Sequence, residues 1–417
     1  MEIKTAIKYL NHPIREIRFE CVKVLSDALK KGRLPCIERI NGQNNQVRSQ
    51  YSFSPYSPSM VAWKAYQAGV STCGFMDYES VEGCREFWDA CRLFGIVPTL
   101  GFEMRMNWRE TETKKGLYFD LENESVCRFA IHGISISKLL EYEKFLYRIR
   151  QERWLRNIKM TDRIHKILSI YGMYLDFEQD IVPFSKWIAR GNITEKHLLY
   201  AAAKKIREKY KTGTEILSFL CRGIGADLSN LERKKVLNEE NPFYLYDITD
   251  ILEKSLLKHI YEPVSMYEVP SAKKMIPYLI KRGGIPSYIF EGEKNVLHEM
   301  IDSLVKHGMQ TISYVPHCGD VSYMWIVQTL CQKYSLIGIA ENIIDHPQQL
   351  FCEIEHDQKV RVDMDKIIWA IVGHENVVNV DVSQGLFSYE ICRKYPCLKE
   401  RLDLFEKIGR ASTKKWG

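Results

Sequence analysis

The chain has 417 residues, 45% apolar and 12% aromatic, so it can bury a sizeable core without a metal or disulfide framework. Its formal net charge of +6 comes from dispersed Lys and Arg residues, which gives little support to nucleic-acid binding. The twelve cysteines form no CxxC pair, and no apolar run reaches the length of a bilayer span. Together with the absence of a signal-peptide pattern, this predicts a cytoplasmic protein with reduced thiols and no membrane contact.

The first 40 residues predict two amphipathic helices that form a hairpin. Ile3, Ile7 and Leu10 mark the apolar side of the first helix, and Asn11-His12-Pro13 breaks it. No second copy of the pair follows, so we expect a capping hairpin rather than a helical repeat.

Residues 44–103 predict three strands joined by two helices, which end at Gly69 and Gly95. Two consecutive strand–helix units indicate a parallel sheet or barrel, in which functional residues follow the C-terminal ends of the strands. Asp77, Tyr78 and Glu103 lie at such positions, so we expect them on one rim. The alternative is that they are ordinary solvated loop residues.

The spacing of apolar residues changes twice along the rest of the chain. Residues 137–260 have helical periodicity, with Thr194 as an N-cap, which predicts a helical insertion. Strand–helix alternation returns in 261–417, which we assign to a second part of the barrel and a C-terminal helix. With the first part in 41–136, the chain has six or seven strands. This number favours a closed or distorted β/α barrel over an open sheet.

Several motifs resemble those of the PHP (polymerase and histidinol phosphatase) superfamily, closest to bacterial proteins of similar length. They are YSFSPYSP, GFMDYESVEG, GFEMR, AIHGI, TEKHLL and the terminal WAIVGHE. The resemblance spans nearly the whole chain and implies a metal-dependent phosphoesterase on a distorted seven-stranded β/α barrel. It also implies that Glu103 is a bridging carboxylate, His132 a metal ligand, and Asp77 an acidic residue that orients the site.

The motifs depart from the family pattern where that pattern places imidazoles. Gln46 and Arg48 stand in place of the family's His-x-His pair, and Asp77-Tyr78-Glu79 replaces Asp-His-Asp. No histidine occurs between His12 and His132. Arginine cannot ligate a metal cation, and a tyrosine ligates only as phenolate.

The downstream ligand motif is also altered. The sequence Glu341-Asn342-Ile343-Ile344-Asp345 places Ile343 where the family has an aspartate. Asp345, His346, Glu341 and His317 are close enough in sequence to compensate. His317-Cys318-Gly319-Asp320 is a weak ligand or nucleophile cluster, and His374-Glu375 fits either the site or the closed end of the barrel.

We therefore interpret the chain as a PHP-like barrel with a largely dismantled metal site and probe-free cofactor needs: a pseudoenzyme that binds a phosphorylated small molecule or a protein. Arg48 could pair with Glu103 and Asp77 in place of the metals, or could bind an anion, and Arg105 could add a second positive group. The alternative is an active hydrolase that uses Mn, Zn or Fe. Its rearranged ligands would be Glu103, Asp77, His132, Asp345 and His346.

Overall fold

The computed structural model describes residues 1–107, 126–290, 297–306, 308–314, 321–340, 344, 346–349, 351 and 358–412. Two helices open the chain, α1 Ile3–Tyr9 and α2 Arg15–Lys30, and form the expected hairpin. The Arg18 side chain ties this hairpin to the following domain, because its Nε donates to Glu86 Oε1 at 2.8 Å.

Seven strands form one curled sheet in the order of the sequence. They are β1 Ile40–Val47, β2 Val70–Tyr78, β3 Val97–Asn107, β4 Val126–His132, β5 Ile285–Phe290, β6 Thr311–Tyr314 and β7 Ile337–Ala340. All neighbours are parallel except β4, which runs antiparallel to both β3 and β5. Ile344, just beyond β7, bridges Val47 at the end of β1. The two sheet edges therefore meet at this end, and the distorted barrel is confirmed.

Helices cover the outside of the sheet and form the insertion between β4 and β5. Around the sheet lie α3 Pro58–Gln67, α4 Cys84–Phe94, α10 Ala272–Ile280, α11 Leu297–Lys306, α12 Val321–Tyr334, α13 Gln358–Val378, α14 Tyr389–Lys394 and α15 Leu398–Ser412. The insertion contains α5 Leu139–Ser169, α6 Glu195–Lys209, α7 Gly213–Phe219, α8 Asn230–Leu237 and α9 Tyr244–Ile260. Single turns occupy Ile136–Lys138, Phe177–Ile181, Val182–Phe184, Trp187–Ala189, Leu220–Ile224 and Val382–Gln384.

The insertion has an apolar core of its own. Its buried residues, from Met160 to Ile260, form a cluster distinct from the one beneath the barrel helices. The division into units at 1–40, 41–136, 137–260 and 261–417 stays a prediction. None of the described helices is long and apolar enough to cross a bilayer.

Two strands extend further than the sequence suggested. β2 continues through Asp77 and Tyr78, and β3 continues past Glu103 to Asn107. In the register Tyr78 lies beside Glu103, and Glu103 lies opposite Ala130 of β4. The polar residues expected in loops are therefore strand residues. They tolerate burial because each has hydrogen-bonding partners.

The C-terminal helices α13 and α15 pack with their backbones in close approach. A Cβ atom on Gly373 would lie 1.9 Å from the carbonyl oxygen of Phe405, and one on Gly409 would lie 2.0 Å from that of Trp369. Both glycines are thus required by the crossing of two helices.

We predict that Gly373→Ala destabilises the protein by about 1–3 kcal/mol, because the added methyl group forces two helix backbones apart. Urea denaturation of the purified variant measures the change. Lys407→Ala, at an exposed position of α15, is the matched control and should leave the midpoint nearly unchanged. Equal stability of Gly373→Ala and the control would contradict the close packing.

Candidate functional site

The carboxylate of Glu103 is fully buried in the sheet and is held by three side chains. Arg48 Nη2 donates to Oε2 at 2.7 Å, and Gln46 Nε2 donates to the same oxygen at 2.8 Å. Arg128 Nε donates to Oε1 at 2.6 Å from the antiparallel strand β4. Burial alone would raise the pKa of Glu103, but Arg128 and Arg48 outweigh it and lower the pKa to about 2. Glu103 is therefore ionised and has a cation on each oxygen.

A second group of charges lies beside this one, where helix α5 crosses the end of the barrel. Arg153 Nε and Nη2 donate to the two carboxylate oxygens of Glu79 at 2.8 and 2.9 Å. Arg153 Nη1 also contacts both oxygens of Glu195 at 3.0 Å. Burial would lower the pKa of Arg153, but these acids keep it well above its usual value.

Glu268 and Glu195 complete this second group. Arg105 Nη2 pairs with Glu268 Oε1, and Arg156 Nε lies 2.9 Å from Glu268 Oε2. Arg156 Nη2 also pairs with Glu195. Although burial opposes ionisation of Glu195, its three arginine neighbours hold its pKa well below the usual range. All of these acids and bases are therefore charged and paired.

Tyr78 joins the two groups. The guanidinium of Arg48 lies 6.0 Å from the centre of its ring, and Arg153 Nη2 donates to its hydroxyl at 3.2 Å. Burial raises the pKa of Tyr78 to about 12, which disfavours a phenolate. The mouth cluster, as we name it, consists of Tyr78 with Arg48, Arg105, Arg128, Arg153, Arg156, Glu79, Glu103, Glu195 and Glu268.

Asp77 points away from the mouth cluster, since adjacent strand residues face opposite sides of a sheet. Its Oδ1 accepts from the Ser49 N–H at 2.7 Å and the Ser52 hydroxyl at 2.8 Å, and its Oδ2 accepts from the Ser49 hydroxyl at 2.7 Å. Burial nevertheless raises the pKa of Asp77. Asp77 thus fixes the loop that follows β1.

His132 lies at the other end of β4 from Val126, because that strand is antiparallel. It pairs with Ile285 at the start of β5, and its Nε2 is 3.3 Å from the hydroxyl of Ser313. The structure therefore brings Gln46, Arg48, Tyr78, Glu103 and Arg105 towards the mouth, while His132 lies towards the closed end.

His374 and Glu375 also belong to the closed end. His374 Nδ1 accepts from the Leu386 N–H at 3.0 Å, and Nε2 is 2.7 Å from the Gly283 carbonyl. Burial lowers the pKa of His374 to about 4, so it is neutral and caps the start of β5. Glu375 Oε1 accepts from the Leu100 N–H at 2.6 Å.

The downstream candidates lie mostly outside the described residues: Asp345, Glu341, Ile343, His317, Cys318 and Asp320. His346 is described, and its Nε2 lies 3.7 Å from Asp250 Oδ2 of helix α9. Its ring also lies near Tyr246 of the same helix, at 5.7 Å between centroids. His346 therefore connects the barrel to the insertion.

The sequence analysis missed most of the mouth cluster. Arg128 could have been noticed as a charge within a buried strand. Arg150, Arg153 and Arg156 recur at intervals of three along α5 and so lie near one face of that helix. No local signal marks Glu195 or Glu268, whose partners are distant in sequence.

A divalent metal does not fit the residues around Glu103. Both of its oxygens accept hydrogen bonds from guanidinium groups, which cannot ligate a metal and repel it. Within the described ranges, no three His, Cys, Asp or Glu side chains are grouped so that they could hold a metal ion. Imidazole, the ligand expected from the family pattern, is replaced here by Gln46, Arg48 and Tyr78.

Comparison with known proteins gives a likeness in fold. No family model and no curated protein matches the chain. A solved structure from Bifidobacterium adolescentis, provisionally named a metal-dependent phosphoesterase, aligns with a TM-score of 0.51 at 14% identity. The alignment covers 77% of this chain and 94% of that one.

A second structure is an amidohydrolase from Chromobacterium violaceum with bound sulfate and no metal. It aligns with a TM-score of 0.47 at 13% identity over 73% of this chain and 88% of the other. That likeness is too loose to support an argument. The first structure supports the barrel fold alone.

We predict that Glu103→Gln destabilises the protein by about 3–5 kcal/mol at neutral pH, because two guanidinium groups lose their buried counter-ion. The folded pKa of Glu103, about 2, lies below its ordinary value of 4.5, so its contribution is complete above pH 4.5 and is lost as the pH falls towards 2. Denaturation midpoints across this range should fall more steeply for the wild type than for the variant.

Glu141→Gln is the matched control for this substitution. Glu141 pairs with Lys138 near the surface, where solvent screens the pair, so its loss should have little effect. If both variants shifted the midpoint equally, the ion pairs of Glu103 would not be a major source of stability.

Proposed function

We propose that this protein is a PHP-type barrel that has exchanged its metal centre for ion pairs and acts by binding rather than by hydrolysis. The observation that carries the proposal is the buried carboxylate of Glu103, which the resemblance assigns to a bridging metal ligand. Arg48 and Arg128 donate to its two oxygens, and Gln46 adds a third hydrogen bond.

The chemistry of phosphoester hydrolysis explains why this arrangement favours a binding role. Metal-dependent hydrolysis needs a cation with an open coordination position to produce hydroxide and to clamp the phosphate oxygens. A guanidinium group neutralises a carboxylate but has no coordination position and does not activate water at neutral pH. Arg48 therefore preserves the charge balance of the barrel mouth without supplying the catalyst.

The mouth cluster also links the barrel to the insertion. Arg153 and Arg156 come from α5, Glu195 opens α6, and their partners Glu79 and Glu268 lie outside the insertion. Buried ion pairs with good geometry specify one arrangement of the groups that form them. The protein would thus present the barrel and its insertion as a rigid binding module of the cytoplasm, with a phosphorylated small molecule or a protein as ligand.

Metal analysis together with a phosphatase assay tests this function. Protein purified with Mn²⁺ in the buffer should carry substoichiometric Mn, Fe and Zn by elemental mass spectrometry, and should not hydrolyse p-nitrophenyl phosphate. Glu103→Ala should leave both readings unchanged. Stoichiometric metal and hydrolysis that are both lost in Glu103→Ala, but kept in Glu141→Ala, would overturn the proposal.

A complementary variant restores imidazole to the family positions. We predict that Gln46→His/Arg48→His binds Zn²⁺ more tightly than the wild type, because it places neutral metal ligands beside Glu103 and removes one competing cation. Isothermal titration calorimetry measures the affinity, and circular dichroism checks that the variant is folded. Equal Zn²⁺ affinity in a folded variant would contradict the role assigned to Arg48.

A further inference from the structure

A cavity of about 250 Å³ lies between helix α5 and the single turn Trp187–Ala189. It is lined by Tyr147, Arg150, Trp187, Ile188 and Arg190. None of these residues belongs to the mouth cluster. The cavity is small compared with a drug-sized pocket, so it suits a compact molecule.

Arg150 is a buried cation in the wall of this cavity, with only 1% of its surface exposed. Its Nη1 donates to the Glu79 carbonyl at 2.7 Å, and its Nη2 pairs with Glu143. Its Nε has no hydrogen-bond partner in the described structure. A buried donor without a partner is costly, and natural examples call for a ligand, a water or a functional reason.

The backbone beside the cavity is held in an unfavourable conformation. Arg190 has φ of 61° and Glu79 has φ of 54°, and these are two of the three non-glycine residues with positive φ in the described ranges. The residue after Glu79 links them, because Ser80 Oγ donates to the Arg190 carbonyl at 3.0 Å. Strain of this kind is concentrated at functional sites.

Apolar and aromatic side chains form the rest of the cavity. Ile188 is 92% exposed and Tyr147 is 46% exposed, although both are large and apolar. Trp187 is fixed against Trp154, with ring centroids 4.6 Å apart. Exposed apolar groups around a concave surface are typical of a ligand site, and the rings offer a flat face for stacking.

The charges next to the cavity favour an anion. Arg190 is half exposed and has only a distant partner, Glu82, at 3.9 Å. Burial raises the pKa of Glu82, so this carboxylate holds its charge poorly in that environment. An incoming carboxylate or phosphate could take its place on Arg190 with shorter, charge-assisted hydrogen bonds.

We propose that this cavity binds a small anion with a flat apolar body, such as an aromatic carboxylate or an aryl phosphate. The anion would contact Arg190 and Arg150, and the body would lie against Trp187, Tyr147 and Ile188. The proposal does not rest on the loss of hydrolysis, since it uses none of the residues that hold Glu103.

Calorimetric titration of the full-length protein with four probes tests this site. Benzoate and phenyl phosphate carry both features, benzyl alcohol lacks the charge, and inorganic phosphate lacks the ring. We expect benzoate or phenyl phosphate to bind and the other two to bind at least about tenfold more weakly, since a charged hydrogen bond contributes about 1.5–3 kcal/mol. The preferred probe shows whether the site takes a carboxylate or a phosphate.

Two exposed variants locate the binding. Arg190→Asn keeps a residue that tolerates positive φ, and Ile188→Ser removes the apolar rim; both should weaken the better probe by about tenfold. Arg222→Gln, at an exposed position outside the cavity, should bind it as the wild type does. The proposal is overturned if neither charged aromatic probe binds, if benzyl alcohol binds as tightly, or if both cavity variants bind unchanged.

Discussion

The burial of the Glu103 carboxylate is the constraint on which the mouth of the barrel depends. An isolated ion at that depth would cost several kcal/mol, so the sequence must either neutralise it or surround it with donors. This chain does the second with Arg48 from β1, Arg128 from β4 and Gln46. The same strand geometry that would hold metal ligands around a bridging carboxylate here holds two guanidinium groups.

Helix α5 extends this arrangement beyond the barrel. Arg153 and Arg156 bind Glu79, Glu195 and Glu268, whereas Arg150, one turn earlier, binds the carbonyl of Glu79 and faces the neighbouring cavity. A ligand in that cavity would therefore contact a residue that also holds the strained turn after β2. The two regions share one helix and one turn, although their binding groups differ.

Local patterns in the sequence were sufficient for the barrel, the N-terminal hairpin and the helical insertion, because each depends on apolar periodicity and helix ends. The positions of Gln46, Arg48 and Glu103 followed from motif spacing. The reversed direction of β4 could not be predicted, since periodicity does not distinguish parallel from antiparallel strands. That reversal brings Arg128 to Glu103 and places His132 towards the closed end. The partners of Arg153 and Arg156 were equally out of reach, because they depend on contacts between residues far apart in sequence.

Anomalous diffraction from crystals grown with Mn²⁺ tests the central claim most directly. Data collected on either side of the manganese absorption edge would reveal any bound ion. The account predicts no anomalous peak at Glu103, with the guanidinium groups of Arg48 and Arg128 on its two oxygens. A manganese peak coordinated by Glu103, with Arg48 displaced from the carboxylate, would contradict it.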